Sequence, residues 1–68
     1  MKEIIFLVEE APEGGYTAKA LGLPIFTEAD DFSDLREKIR DAVSCHFDKG
    51  EEPKLIRLHV VREELMAV

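Results

Sequence analysis

Apolar and polar positions divide the chain into five segments. In "KEIIFLVEE", residues 2 to 10, the side chains of Ile4, Ile5, Phe6, Leu7 and Val8 follow one another without a polar break. A β-branched and aromatic run of this length predicts a strand, and apolar groups on both faces predict a central one covered on both sides. Pro12, Gly14 and Gly15 in "APEGG" signal a turn, short enough for an antiparallel hairpin to a second strand, "YTAKAL", residues 16 to 21. "GLP" turns the chain again into a short third strand, "IFTEA", residues 25 to 29.

From Asp31 the period changes. Phe32, Leu35, Ile39, Ala42, Val43 and His46 recur at spacings of three and four, which places them on one face of a helix. Asp31 is suited to cap that helix, with Asp34 three residues on in a capping-box arrangement, and Asp30, Asp31 and Asp34 suit the positive end of its dipole. Gly50 is the expected stop, with Lys49 in the last turn. After the loop "EEP", the segment "KLIRLHVVREEL", residues 54 to 65, predicts a strand in which Ile56, Leu58 and Val60 alternate with Arg57 and His59.

The order is strand, strand, strand, helix, strand. The helix returns the chain along the sheet, so the last strand runs parallel to the first, and a right-handed crossover beside strand one gives the spatial order 3-2-1-4. The expected class is α+β: an antiparallel three-stranded meander, one helix on one face, and a fourth parallel strand. One helix covers one face only. The other face is left with either Ile5 and Leu7 or Ile4, Phe6 and Val8, together with Leu55 and Val61. An apolar surface of that kind points to a dimer or another protein partner.

Size strengthens the point. A chain of 68 residues is expected to form a single domain, spanning 1–68, that buries only about 60% of its unfolded surface. Domains this small commonly rely on disulfides, a metal or a partner subunit. Cys45 is the sole cysteine, which removes intrachain disulfides. One cysteine with His46 and His59, lacking paired ligand spacing, does not make a zinc site. Self-association is the expectation that remains. The net charge of −6 disfavours binding to phosphate backbones and suits a basic protein partner or simple solubility. The apolar run near the N-terminus is too short for a signal peptide or a membrane span, so a cytoplasmic location is expected.

Residues 14 to 43, "GGYTAKALGLPIFTEADDFSDLREKIRDAV", carry a resemblance. Gly14-Gly15-Tyr16, the Leu23-Pro24 turn, the short strand Ile25 to Thr27, the acidic cap Asp30-Asp31 and the amphipathic run Leu35 to Val43 stand in an order similar to that of the HicB-like antitoxin family. The likeness extends over about residues 3 to 62. Two positions differ from the family pattern, Ile25 and Ala29, where glycine is frequent. The chain ends at Val68, without room for the helix-turn-helix or ribbon-helix-helix module that many relatives carry. Autorepression by this chain alone is therefore not expected, and its acidic charge separately argues against direct nucleic-acid binding. The resemblance implies a cut-down, degraded RNase H-like fold without a nuclease site. It also implies a function: neutralising a HicA-type toxin, a small basic ribonuclease. The alternatives are an orphan HicB-like protein that works by oligomerisation or another protein contact, and a residual metal-dependent nuclease.

The candidate chemistry is sparse. The topology gathers Glu9, Glu10, Asp30, Asp31, Asp34, Glu63 and Glu64 at one end of the domain. Such a rim could be solvated capping and edge residues, steer a basic partner, or hold a divalent cation. Nuclease chemistry of the RNase H kind needs carboxylates converging from strand interiors, whereas strand one offers Ile4 to Val8 there, so no catalytic residue, metal or cofactor is assigned. His46, in the last helical turn, is expected to pack on the apolar face, and Cys45 to be an inert, partly buried thiol. Arg57 and His59 fall on the uncovered face, in an interface or in solvent, and join the acidic residues as candidate partner-binding groups. Lys19, Arg57 and Arg62 are too scattered for an RNA groove, Tyr16 is a single aromatic, and Gly14-Gly15 lacks the Lys-Ser/Thr of a phosphate loop.

Overall fold

The structure is a computed structural model that describes residues 2–68. Its elements are β1 (Glu3–Glu10), β2 (Tyr16–Ala20), β3 (Phe26–Ala29), α1 (Phe32–His46) and β4 (Leu55–Val61). The sheet has the order β3-β2-β1-β4, antiparallel except for the parallel pairing of β1 with β4. This is the α+β arrangement that the periodicity implies.

Side-chain alternation along β1 divides the sheet's two faces. Ile4, Phe6 and Val8 are buried towards the helix, and Ile5 and Leu7, on the opposite side, are half-buried. Across the ladder, Val8 lies opposite Ala18 and Phe6 opposite Ala20. Those two alanines on β2 leave room for α1 to come down on the sheet with Leu35, Ile39 and Val43. Phe6, Leu35, Ile39 and Val8 are the largest fully buried side chains, each contributing about 1.5–3 kcal/mol through burial.

The two hairpins explain the local sequence. In the first, Gly14 N–H donates to Ala11 C=O at 3.0 Å and Ala11 N–H to Gly15 C=O at 3.0 Å. Gly15 has φ +84°, and a Cβ there would lie 2.8 Å from the Ala29 carbonyl oxygen. The second glycine of Gly-Gly-Tyr thus lets the hairpin press against the end of β3. In the second hairpin, Ile25 N–H donates to Leu23 C=O across Pro24 at 2.9 Å, a three-residue turn compatible with proline's fixed φ. Neither Ile25 nor Ala29 needs a glycine conformation, since no non-glycine among the described residues has positive φ. Both are buried in the core.

Asp31 is the N-cap, its Oδ1 accepting from Asp34 N–H at 2.7 Å. The helix ends earlier than the glycine signal suggests. Phe47 leaves the helix in an extended conformation, φ −103° and ψ 148°, and packs against the core. Burying an aromatic ring outweighs continuing an exposed helix to Gly50, which instead takes φ +90° in the following turn. His46 and Cys45 are consequently exposed, contrary to the packed histidine and part-buried thiol expected. His46 stacks edge-on against Phe47, with ring centroids 5.0 Å apart. The last strand is also shorter than its pattern. β1 runs out at Glu10, and the last β1–β4 pair is Glu9 with Val61, so residues 62–68 have no neighbour to pair with.

Helix α1 is not centred on the sheet. It lies over β3 and β2, and β4 stands outside its cover. Ile56 and Leu58 are therefore only half-buried, and Val60 is 49% exposed. The longest dimension is 52 Å and the Cα radius of gyration is 13.4 Å, against about 11 Å for a compact chain of this length. Residues 62–68, all exposed, lie outside the core cluster.

Candidate functional site

The open face of the sheet is built by residue alternation. Pairing registers align Glu28, Thr17, Glu9 and Val61 in one row, and Phe26, Lys19, Leu7 and His59 in the next. Ile5 lies beside Arg57, and Glu3 beside Leu55. The result is an apolar centre, Ile5 and Leu7, with Phe26 and Leu55 (both 62% exposed) and Val61 around it. The flanking positions are charged and mixed in sign: Glu3, Glu9, Glu28, Lys19, Arg57 and His59.

Arg57 is held in place. Its Nε donates to Glu3 Oε1, and a second guanidinium nitrogen reaches Glu3 Oε2 at 3.3 Å. This two-point contact lowers the Glu3 carboxyl below its ordinary value, mainly through the hydrogen bond from Arg57 and further through its charge, with partial desolvation opposing. Arg57 is raised by the same partner. Glu3 was absent from the sequence-derived candidates, although its spacing of two from Ile5 already places it on the same strand face.

The acidic end divides into separate groups. Glu9, Glu10 and Glu63 surround one shallow depression with Pro12 and Val61. Asp30 lines another with Glu13, Glu28, Tyr16 and Lys38. Asp31 is occupied in capping the helix, and Asp34 lies 3.5 Å from Lys38 Nζ. Asp34 therefore supplies only half of a capping box, its side chain turning to Lys38. Glu64 is exposed beyond β4, on neither depression. No group of three or more His, Cys, Asp or Glu side chains among the described residues is placed to hold a metal ion. No helix among them is long and apolar enough to cross a membrane.

A third concavity, of about 270 Å³, runs between α1 and β4. Arg36, Ile39, Arg40, Ile56 and Leu58 line it. It exists because α1 is displaced toward β3. Arg36 and Arg40, one helical turn apart, escaped the sequence reading because nothing in the spacing tells where the helix sits across the sheet.

These features define a class: a two-layer α+β domain, one helix against one side of a four-stranded sheet, with shallow surface concavities. Comparison with known sequences identifies the family. A UPF0150 protein of Archaeoglobus fulgidus is 58% identical over 52 residues, covering 76% of this chain and 77% of the relative. A UPF0150 protein of Thermotoga maritima is 43% identical over 67 residues, covering 98% of this chain and 94% of the relative. The chain belongs to the UPF0150 family. No family model and no solved structure matches it.

Proposed function

We propose that this chain is a HicB-like antitoxin domain: a non-enzymatic, cytoplasmic protein-binding module that neutralises a basic HicA-type mRNA interferase by occluding its RNA-cleaving surface. The observation that carries the reading is the open sheet face. Its apolar centre of Ile5 and Leu7 shares a face with Glu9 and Glu28, together with Lys19, His59 and the Glu3–Arg57 pair, and the acidic end adjoins it. An apolar centre with a charged rim suits a protein partner, and acidic groups speed the encounter with a basic one. The ordered motifs from Gly14 to Val43 that resemble the HicB-like pattern support the same assignment.

The test is co-expression with a small basic protein encoded next to this chain, reading toxicity and co-purification. Protection from toxicity and a stable complex are expected, both abolished by Leu7→Lys and weakened by Glu9→Lys. A folded Leu7→Lys variant that protects as well as the parent chain would remove the open face from the function. Absence of any toxin neutralised by the chain would end the antitoxin reading.

A further inference from the structure

The two edges of the sheet are unlike. β3 has four residues, and Lys38 on α1 donates to its Glu28 carbonyl at 3.2 Å. A short, partly covered edge is protected from pairing. β4 has seven residues and no proline, and no element among the described residues pairs with its outer edge, so it presents a row of free backbone donors and acceptors. Beside it lies the groove of Ile39, Ile56 and Leu58, flanked by Arg36 and Arg40. Arg40 contacts Glu37 at 3.0 Å, whereas Arg36 makes no ion pair among the described residues. Directly beyond β4 the chain continues as Arg62-Glu63-Glu64-Leu65-Met66-Ala67-Val68, fully exposed, with Met66 at 77%. An unpaired edge, a part-filled apolar groove with two guanidinium groups, and an acidic-then-apolar extension are complementary features of one chain.

From this we infer that a second copy of the chain docks along β4, its residues 63–68 pairing antiparallel with Ile56–Val61 about a two-fold axis at Arg62. A two-fold axis normal to the sheet pairs residues of the same parity, and paired residues share a face. The register then sets Val68 of the second copy against Ile56, and Met66 against Leu58, on the helix side where the groove lies. Glu64 falls opposite Val60. The start of α1 and the end of β4 lie at the same end of the sheet, so Arg36 is the nearer guanidinium to Glu64. The two Arg62 residues meet at the axis, each diagonal to the other copy's Glu64, which offsets the like charges. Each copy covers the other's groove, and two sheets become one of greater width. This interface uses the edge and the helix side, leaving the open face free, so it does not depend on the antitoxin reading.

The test is the mass of the full-length chain in solution at micromolar concentration, with circular dichroism as a check on folding. The parent chain is expected at twice 7.7 kDa. Met66→Lys should raise the dimer dissociation constant about 100-fold, because it sets an ammonium group in an apolar groove already flanked by the guanidinium groups of Arg36 and Arg40. Met66 is 77% exposed and lies outside the core cluster, so the variant keeps its fold. Arg36→Glu should weaken association, and Arg36→Glu with Glu64→Arg should restore it. In a Cys45→Ser background, mixing a Leu58→Cys chain with a Met66→Cys chain under oxidation should give a cross-linked heterodimer. A monomeric parent chain overturns the proposal. A Met66→Lys dimer of unchanged affinity overturns it too, since association then uses another surface.

Discussion

Gly15 provides a sharp test of how the hairpin is built, because Gly14 and Gly22 serve as internal controls. All three have positive φ, +102° at Gly14, +84° at Gly15 and +83° at Gly22. Replacing any of them by alanine places a Cβ in a region that costs about 1–2 kcal/mol. At Gly14 and Gly22 the added methyl meets nothing within 4 Å, so that backbone cost is the whole effect. At Gly15 it meets the Ala29 carbonyl oxygen at 2.8 Å and the Asp30 Cα at 3.4 Å. Both are backbone atoms and cannot swing aside. Ala29 pairs with Tyr16 at the end of β3 and is itself buried, so relief requires shifting that strand end away from the core. Overpacking of this kind adds about 1–3 kcal/mol. Gly15→Ala should therefore lose about 2–5 kcal/mol in total, most or all of the ~3–5 kcal/mol available to a domain this small. Urea unfolding followed by circular dichroism reads the difference. With a slope of about 1 kcal/mol per molar urea, the Gly15→Ala midpoint should fall at least ~1 M below that of either control. Equal midpoints for Gly15→Ala and Gly14→Ala would refute the close approach of the hairpin to β3.

Three further outcomes follow from the packing and the charges. Phe6→Ala empties the centre of a core with no exposed wall at that position; a loss of about 3–5 kcal/mol leaves the domain at or past its unfolding midpoint at 25 °C, visible as lost dispersion in its proton NMR spectrum. Asp31→Ala removes the side-chain acceptor of Asp34 N–H and should cost about 1 kcal/mol by urea titration, with Asp31→Ser largely retaining the cap. The Glu3 carboxyl is lowered on folding below its ordinary 4.5 by Arg57, so near that pH the unfolded chain binds more protons and stability rises with pH. The contribution is complete above the ordinary carboxylate value and lost as pH falls through the folded one. Glu3→Gln should flatten that part of the pH–stability curve, and an unchanged curve would show that the ion pair does not persist in solution.

Local pattern specified much of this protein. The strand runs, the turn residues at Pro12, Gly14, Gly15 and Pro24, and the three-and-four spacing from Phe32 to Val43 each encode conformation through interactions within a few residues. The handedness of the crossover then orders the strands. Candidate groups at element ends, such as Asp31 at the cap and Glu9 and Glu10 at the end of β1, were visible for the same reason. Other features depended on contacts between distant residues. Five consecutive apolar side chains, Ile4 to Val8, carry no alternation, so which of them face the helix was settled by the small Ala18 and Ala20 across the ladder. The helix stops at His46 because Phe47 finds the core, a pull from tertiary packing that outweighs the glycine three residues later. The Glu3–Arg57 pair joins residues at opposite ends of the chain and exists only once β1 and β4 lie side by side. Above all, the lateral position of α1 over β3 and β2 is set by the fit of side chains between layers. Periodicity says which helix face is buried and is silent on where along the sheet's width it is buried, and from that placement come the groove beside β4 and the exposure of Ile56, Leu58 and Val60.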